Sequence, residues 1–507
     1  MKKDESFARA LDTVATRYPE RPALILDQVT WSYAKLTEWS ARMAAVLRNT
    51  GVSPGDRVLV QVDKSAHAVA LYLGCLRVGA VFVPLNTAYT TEEIRYFLGD
   101  ADPALVVCRP ADLDERERLA GSVPVLSLGA DTSGSLLDAA QAVAPDFRIE
   151  PRTAVDLAAI VYTSGTTGRS KGAMLSHANL ESSARVLVEA WGWRDDDVLL
   201  HALPIFHVHG LFVALHCVLL TGTAMVFMPG FDAEAVLEAL PRTTVMMGVP
   251  TFYTRLLEHP GLTADRCTHI RLFISGSAPL TPQTFEAWEG RTGQRILERY
   301  GMSETMMNTS NPLLGERVAG TVGFPLPGTE VRVADSEGRV LGADEVGVLE
   351  VRGPNVFSGY WRMPEKNTEE FRGDGFFITG DLGRIDASGR VTIVGRAKDL
   401  IISGGYNVYP KEVEERLDEL AGVTESAVIG VPHPDFGEAV VAVIVPAQDP
   451  VTENDVRAAL ADRLARFKQP KAVINVPTLP RNAMGKVQKK ALRERYGDLF
   501  ASSVQGA

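Results

Sequence analysis

The sequence predicts an α/β protein with a large N-terminal domain of layered α/β subdomains plus a β subdomain, followed by a small C-terminal α+β domain. Three observations lead there. The chain has 507 residues, too many for one hydrophobic core to serve. From Phe7 onward, helical and strand patterns alternate, as they do where helices cover a parallel sheet. Residues 320–389 then turn rich in Gly, Pro and short alternating strands, and a second α/β pattern opens at Lys398-Asp399.

Taken in order, residues 36–47 read as helix, 57–62 as strand, 66–78 as helix and 81–84 as strand. Thr90-Thr91-Glu92-Glu93 has the form of a capped helix start, and 104–108 is a strand. Residues 111–151 are weakly patterned, and a loop with a short strand is expected there. A buried strand over 157–161 and a helix over 176–190 follow. Residues 245–250, 270–275 and 295–299 read as buried strands, each followed by polar or glycine residues; in open parallel sheets ligands collect beyond such carboxyl ends. The C-terminal pattern comprises a strand over 400–403, a helix near 411–420, strands over 423–431 and 439–445, a helix over 453–464 and a strand over 472–476. The longest apolar stretches, 67–85 and 211–228, are broken by Arg77 and by Thr221-Gly222-Thr223. Each reads as a helix turning into a strand, not as a membrane span.

Lys+Arg 52 against Asp+Glu 63 gives a net charge of −11, which repels polyanions, and no basic run offers a nucleic-acid footprint. The cysteines Cys75, Cys108, Cys217 and Cys267 stand far apart, which argues against a zinc ribbon or a disulfide framework. They are expected as reduced core residues of a cytoplasmic protein. The N-terminus has lysines but no apolar segment of the kind an export signal carries.

The densest chemistry lies at 160–172. A strand delivers Thr163, Ser164, Gly165, Thr166, Thr167, Gly168 and Ser170, then Lys171. Free amides, hydroxyls and one ammonium make a cradle for phosphate oxygens. The spacing G-x-x-G-x-x-K departs from the phosphate loop of ordinary NTPases, and a surface turn that binds nothing is the competing reading. His201, His207 and His209 have a spacing compatible with a metal, but no carboxylate stands near in sequence; core histidines are the simpler reading.

The phrase Tyr-Thr-Ser-Gly-Thr-Thr-Gly with Lys171-Gly172 resembles the phosphate loop of the acyl-adenylating superfamily of acyl-CoA synthetases, luciferases and adenylation domains. Four more passages resemble its motifs in the expected order: Pro204-Ile205-Phe206-His207, Tyr300-Gly301-Met302-Ser303-Glu304-Thr305, Gly380-Asp381 with Arg396, and Pro480-Arg481-Asn482-Ala483-Met484-Gly485-Lys486. Ser303 replaces the superfamily's Thr and keeps the hydroxyl. The resemblance covers essentially the whole chain. It implies ATP, Mg²⁺ and coenzyme A as cofactors, with Lys171 and the loop on phosphates, Glu304 and Thr167 on the metal, Tyr300 on adenine, Thr305 on the α-phosphate, and Asp381 and Arg396 on the ribose. It further implies Lys486 on the reacting carboxylate and α-phosphate, His207 beside the acyl group, and Ser277 in the adenine or acyl pocket. An N-terminal unit of 1–397 and a mobile C-terminal unit of 398–507 would share a hinge at Lys398, with Ser403, Gly404 and Gly405 completing a CoA channel after rotation.

Within that superfamily, Leu297-Glu298-Arg299-Tyr300-Gly301-Met302, Asn308-Thr309-Ser310-Asn311-Pro312 and residues 355–366 resemble the malonyl-CoA synthetases. Malonate keeps a second carboxylate after the first is activated, and a guanidinium suits that charge. Arg299 is its expected partner, with Arg242 and Arg255 as second candidates; pairing of Arg299 with a structural acid is the alternative. The expected substrates are therefore malonate, ATP and CoA, with methylmalonate a further acid. A synthetase for uncharged short or medium acids, a stand-alone adenylation or light-producing enzyme, and a noncatalytic nucleotide sensor remain open readings. A lysine acetyltransferase acting on Lys486 is an expected partner.

Overall fold

The computed structural model describes residues 6–27, 29–163, 170–404, 406–461, 463–482 and 485–500. Among these, the strands form four sheets. A nine-stranded sheet runs, in spatial order, through Phe324–Pro325, Met306–Ser310, Leu297–Met302, Leu272–Ser275, Val245–Gly248, Val198–His201, Ala224–Phe227, Pro22–Ile25 and Thr30–Ser32. Its centre is parallel, with Val245 opposite both Leu199 and Leu272. These short runs of Leu, Ile, Val, Phe and Met are buried on both faces, which is why they read as continuous apolar segments.

A six-stranded sheet packs beside it in the order Val125–Ser127, Leu105–Cys108, Arg57–Gln61, Val81–Pro84, Leu157–Thr163 and Lys171–Ser176. The last two are antiparallel, Thr163 opposite Lys171, so the phosphate-loop sequence is the connection of a hairpin. Residues 164–169 lie outside the described residues, and with them the expected roles of Ser164, Gly165, Thr166, Thr167 and Gly168. The helix Ala66–Val78 is buried all round between the sheets, ending at Gly79 in the left-handed conformation. Thr90 caps Thr91–Ala101 with the reciprocal Glu93 contact that its sequence announces.

Two helices replace the loop expected over 111–151. Leu113–Ala120 is charge-rich with Arg116 turned inward, and Ser135–Ala142 is too short to show a period. The β subdomain is an antiparallel sheet of Glu330–Ala334, Gly347–Arg352, Phe377–Ile385 and Val391–Arg396. The C-terminal segment builds its own sheet from Ile401–Ser403, Tyr406–Val408, Val423–His433, Gly437–Pro446 and Ala472–Asn475, covered by Pro410–Asp418, Glu453–Leu460 and Lys489–Tyr496. Glu453–Leu460 stops four residues before the expected end at 464.

Candidate active site

The carboxyl ends of the central parallel strands and the adjoining hairpin carry side chains close enough to feel one another's charge. Arg299, in Leu297–Met302, is 3% exposed. Its guanidinium lies against the bare backbone of Gly276, where a Cβ would come within 2.5 Å of Cζ. Burial pulls Arg299 down to about 9, and its Nε and Nη2 have no hydrogen-bond partner among the described residues. The neighbouring carboxylate does not pair with it. Glu298 accepts the Leu280 N–H at 3.1 Å, and burial pushes it up to about 7. Arg242 and Arg255 are exposed, Arg242 at the amino end of its strand, away from the carboxyl ends.

Two neutral imidazoles face this cation. Burial, and next Arg299, lower His207 to about 4 and hold His209 well below its ordinary value. Ser277 Oγ is 3.2 Å from His209 Nδ1, and Ser277 adopts φ +72°, a strained conformation for a residue with a Cβ. His209 Nε2 is buried without a partner among the described residues. His201 is committed elsewhere: Lys64 Nζ is 2.9 Å from its Nδ1, and its Nε2 is 2.9 Å from the Gly210 carbonyl. The metal reading of the three histidines therefore fails. No cluster of metal-binding side chains exists among the described residues.

Asp381 joins Tyr300 to Arg396. Tyr300 Oη donates to Asp381 Oδ2 at 2.6 Å, and Arg396 Nε reaches Oδ1 at 2.6 Å. Asp381 raises Arg396 further. Lys486 is carried into the same field: burial, then Arg396, lowers it to about 8, and its charge is felt at His207. The approach is close enough to demand glycine before it, since a Cβ on Gly485, at φ +72°, would meet Thr251 Oγ1 at 2.7 Å. Thr305 is fully buried with no partner for its hydroxyl among the described residues.

The third cluster surrounds the hairpin. Glu304 Oε1 accepts from Tyr360 Oη at 3.0 Å and lies 3.4 Å from Thr163 Oγ1. Burial raises Glu304. Lys171 Nζ is 3.0 Å from Glu370 Oε1 and 3.9 Å from the Tyr360 ring centroid. Glu304 offers Mg²⁺ a hard oxygen, with the hydroxyls of Tyr360 and Thr163 beside it. That is enough for an ion that takes one or two protein ligands when phosphates supply others.

The structure thus brings together Lys486, His207, Ser277, Arg299, Tyr300, Asp381 and Arg396, with Thr163, Lys171 and Glu304 at the hairpin. It does not bring in the CoA group. Lys398 is exposed, Ser403 pairs with Tyr406 and Gly437, and the Gly404 N–H donates to Phe436, all within the C-terminal segment. Gly405 lies outside the described residues. His209 was read from the sequence only as a metal or core histidine, not as a neighbour of Ser277; Tyr360 left a trace only inside Ser358-Gly359-Tyr360-Trp361, and Glu370 escaped the sequence reading.

The sequence profile of AMP-binding enzymes matches residues 11–361, and that of the AMP-binding enzyme C-terminal domain matches 412–486. The chain belongs to the AMP-binding enzyme family. Among its relatives, a malonate–CoA ligase of Arabidopsis thaliana is 34% identical, aligned over 96% of this chain and 88% of its own length. A feruloyl-CoA synthase of Amycolatopsis is 37% identical over 92% of this chain and 94% of its own. Among solved structures, ATP-bound MatB of Rhodopseudomonas palustris superposes with TM-score 0.96 at 52% identity, covering 98% of this chain and 100% of that one. Apo MatB superposes at 0.84. This AMP-binding enzyme is therefore an α/β protein of adenylate-forming architecture, as its motif order predicts. No described helix is long and apolar enough to cross a membrane.

Proposed function

We propose that this AMP-binding enzyme is a malonate–CoA ligase that converts ATP, malonate and CoA to malonyl-CoA, AMP and diphosphate through a malonyl-adenylate, and that it accepts methylmalonate. The observation that carries the reading is the buried guanidinium of Arg299 with two N–H groups unsatisfied. A charge desolvated without a partner costs several kcal/mol. A carboxylate that reaches it recovers that energy through two-point hydrogen bonding. A monocarboxylic acid would leave Arg299 as it is.

The remaining residues fit activation of the other carboxylate. Oxide is a poor leaving group, so AMP is attached first, and two anions must be brought together. Lys486 and Lys171 supply positive charge, and Glu304 would hold Mg²⁺, which neutralises phosphate charge. Neutral His207, His209 and Ser277 orient the acid without competing with Arg299 for it. Tyr300, Asp381, Arg396 and Thr305 would hold the nucleoside and α-phosphate. Lys486, close enough for its charge to be felt at His207 and to feel Arg396, would serve adenylation in this orientation. Thioesterification then requires residues 398–507 to turn on the first 397, with Lys398 as hinge and Ser403, Gly404 and Gly405 lining the CoA channel.

Lys486 works through its charge, and we include its acetylation by a lysine acetyltransferase in the proposal: adenylation stops while thioesterification of supplied malonyl-adenylate continues. The buried thiols Cys75, Cys108, Cys217 and Cys267 suit a reducing compartment, and we place the enzyme in the cytoplasm.

The test is diphosphate release with Mg-ATP and CoA, comparing malonate, methylmalonate, propionate, butyrate and octanoate at equal concentration. Preference for the dicarboxylates supports the proposal. Equal or better turnover of the monocarboxylates keeps the adenylating chemistry and discards malonate.

A further inference from the structure

The helix Pro364–Glu370 stands beside the phosphate-binding hairpin, and the reaction as derived above gives it no task. Its last residue, Glu370, receives two ammonium groups: Lys171 Nζ at 3.0 Å and Lys366 Nζ at 3.3 Å. Lys171 and Glu370 are 11% and 19% exposed against 33% for Lys366, so the inner pair is largely desolvated while Lys366 reaches it from the rim, where it also holds Glu369 at 2.9 Å.

The same helix fixes Tyr360. Asn367 Oδ1 accepts the Tyr360 N–H at 2.6 Å, and Asn367 Nδ2 donates to the Tyr360 carbonyl at 3.2 Å. Tyr360 in turn places its ring under Lys171 and its hydroxyl on Glu304. The segment leading into the helix is stitched to the hairpin strand, with Met174 N–H donating to Gly359 O and Trp361 N–H to Gly172 O, each at or below 3.0 Å. One element therefore sets the phosphate lysine and the metal-side carboxylate together.

We propose that Glu370 is a positioning residue that holds Lys171 as a temporary counter-ion and yields it to the incoming triphosphate, Lys366 then neutralising Glu370 alone. The inference rests on Lys171 being a phosphate ligand. Its logic is electrostatic. Buried Lys171 needs an anion to hold its ammonium in place before nucleotide arrives. Once phosphates approach, the same carboxylate repels them and competes for the ammonium. A carboxylate with one partner would resist the exchange. Glu370 has a second, four residues back on its own helix, so surrendering Lys171 does not strand it.

The relay predicts opposite signs for two neighbouring charges. In the adenylation half-reaction of the full-length enzyme, Glu370→Gln lowers KM for ATP by about three- to tenfold with little change in kcat, because Lys171 no longer has to be won from a carboxylate. Lys366→Met raises KM for ATP by a similar factor, because Glu370 then grips Lys171 alone. In the double variant the Lys366→Met effect disappears, a non-additivity that bulk charge does not produce. Glu370→Asp, which keeps the carboxylate, stays close to the native KM. Thermal unfolding of each variant separates a packing role, which would lower Tm in both single variants and raise KM in both.

Additive effects in the double variant, or a Glu370→Gln enzyme whose KM is unchanged or raised, overturn the relay. A Lys171→Ala control distinguishes the two levels of failure. If it leaves KM for ATP untouched, the phosphate role of Lys171 falls and the relay with it. If it raises KM while Glu370→Gln fails to lower it, the relay alone is wrong.

Discussion

Replacing Arg299 with Met should make the unliganded protein more stable while destroying its use of malonate. Burial holds Arg299 well below its ordinary value, at about 9, a penalty of several kcal/mol on the charged form. A guanidinium does not release its proton in proteins, so the penalty is carried as strain and not relieved by titration. Met fills a similar volume and has no hydrogen-bonding demand. Replacements of this kind are typically neutral or stabilising by about 1–4 kcal/mol, so thermal unfolding of Arg299→Met should occur at or above the native Tm. Malonate turnover should respond in the opposite sense. Its distal carboxylate would be buried without a partner at a cost of about 3–5 kcal/mol, which is about 10²- to 10⁴-fold in kcat/KM. Propionate, which carries no such charge, should lose far less or gain. The assay is diphosphate release with both acids, alongside calorimetry of the unliganded variants. A variant several degrees less stable that still prefers malonate to propionate would refute the reasoning, for Arg299 would then be a structural cation.

Three further outcomes follow from the same geometry. Gly276→Ala places a Cβ 2.5 Å from Arg299 Cζ, so the guanidinium must move; kcat/KM for malonate should fall more than about tenfold with the monocarboxylates spared, read by the same diphosphate assay. Lys486 is held down to about 8, and its charged form, present below that value, is the one the proposed adenylation role needs. The adenylation rate should therefore drop as pH rises through about 8, and Lys486→Ala should lack this limb and lose at least about 10²-fold in rate, as measured by single-turnover formation of acyl-adenylate. Glu304→Gln keeps the size and the contact with Tyr360 but removes the anionic oxygen, so the Mg²⁺ concentration for half-maximal adenylation should rise by about tenfold or more; titration with Mg²⁺ at fixed ATP checks this.

The sequence announced those parts of the molecule whose cause is local. The strand Val81–Pro84 and the helix Ala66–Val78 have the predicted limits because Gly79, in the left-handed conformation, ends the helix just before the apolar strand begins. Thr90 and Glu93 declare their cap by spacing alone. The helices Leu113–Ala120 and Ser135–Ala142 escaped because their inward faces are narrow, and Arg116 is buried by a long-range partner, Gln61, that no periodicity reveals. Of the acid pocket, Arg299 and Ser277 were legible through neighbouring motifs. His209 was not singled out for the pocket, since its role depends on Ser277, 68 positions away, turning into a left-handed conformation beside it. Glu370 left no sequence sign, because a Glu on a short charged helix looks like solvent-facing charge until the fold sets it against Lys171.

The two ends of the interdomain crossover are tethered to different bodies. Arg396 is gripped by Asp381 in the β subdomain, and Asp399, three residues on, is gripped by Arg493 of the final helix at 2.8 Å. Only Ala397 and Lys398, both exposed, lie between those anchors. The proposed rotation of residues 398–507 would be taken up by the torsions of that two-residue swivel, and it would strain the hydrogen bond from the Lys411 ammonium to the Ile393 carbonyl at 2.7 Å. Stiffening the swivel, with proline at 397 for instance, would freeze the enzyme in one posture and leave acyl-adenylate stranded where it was made.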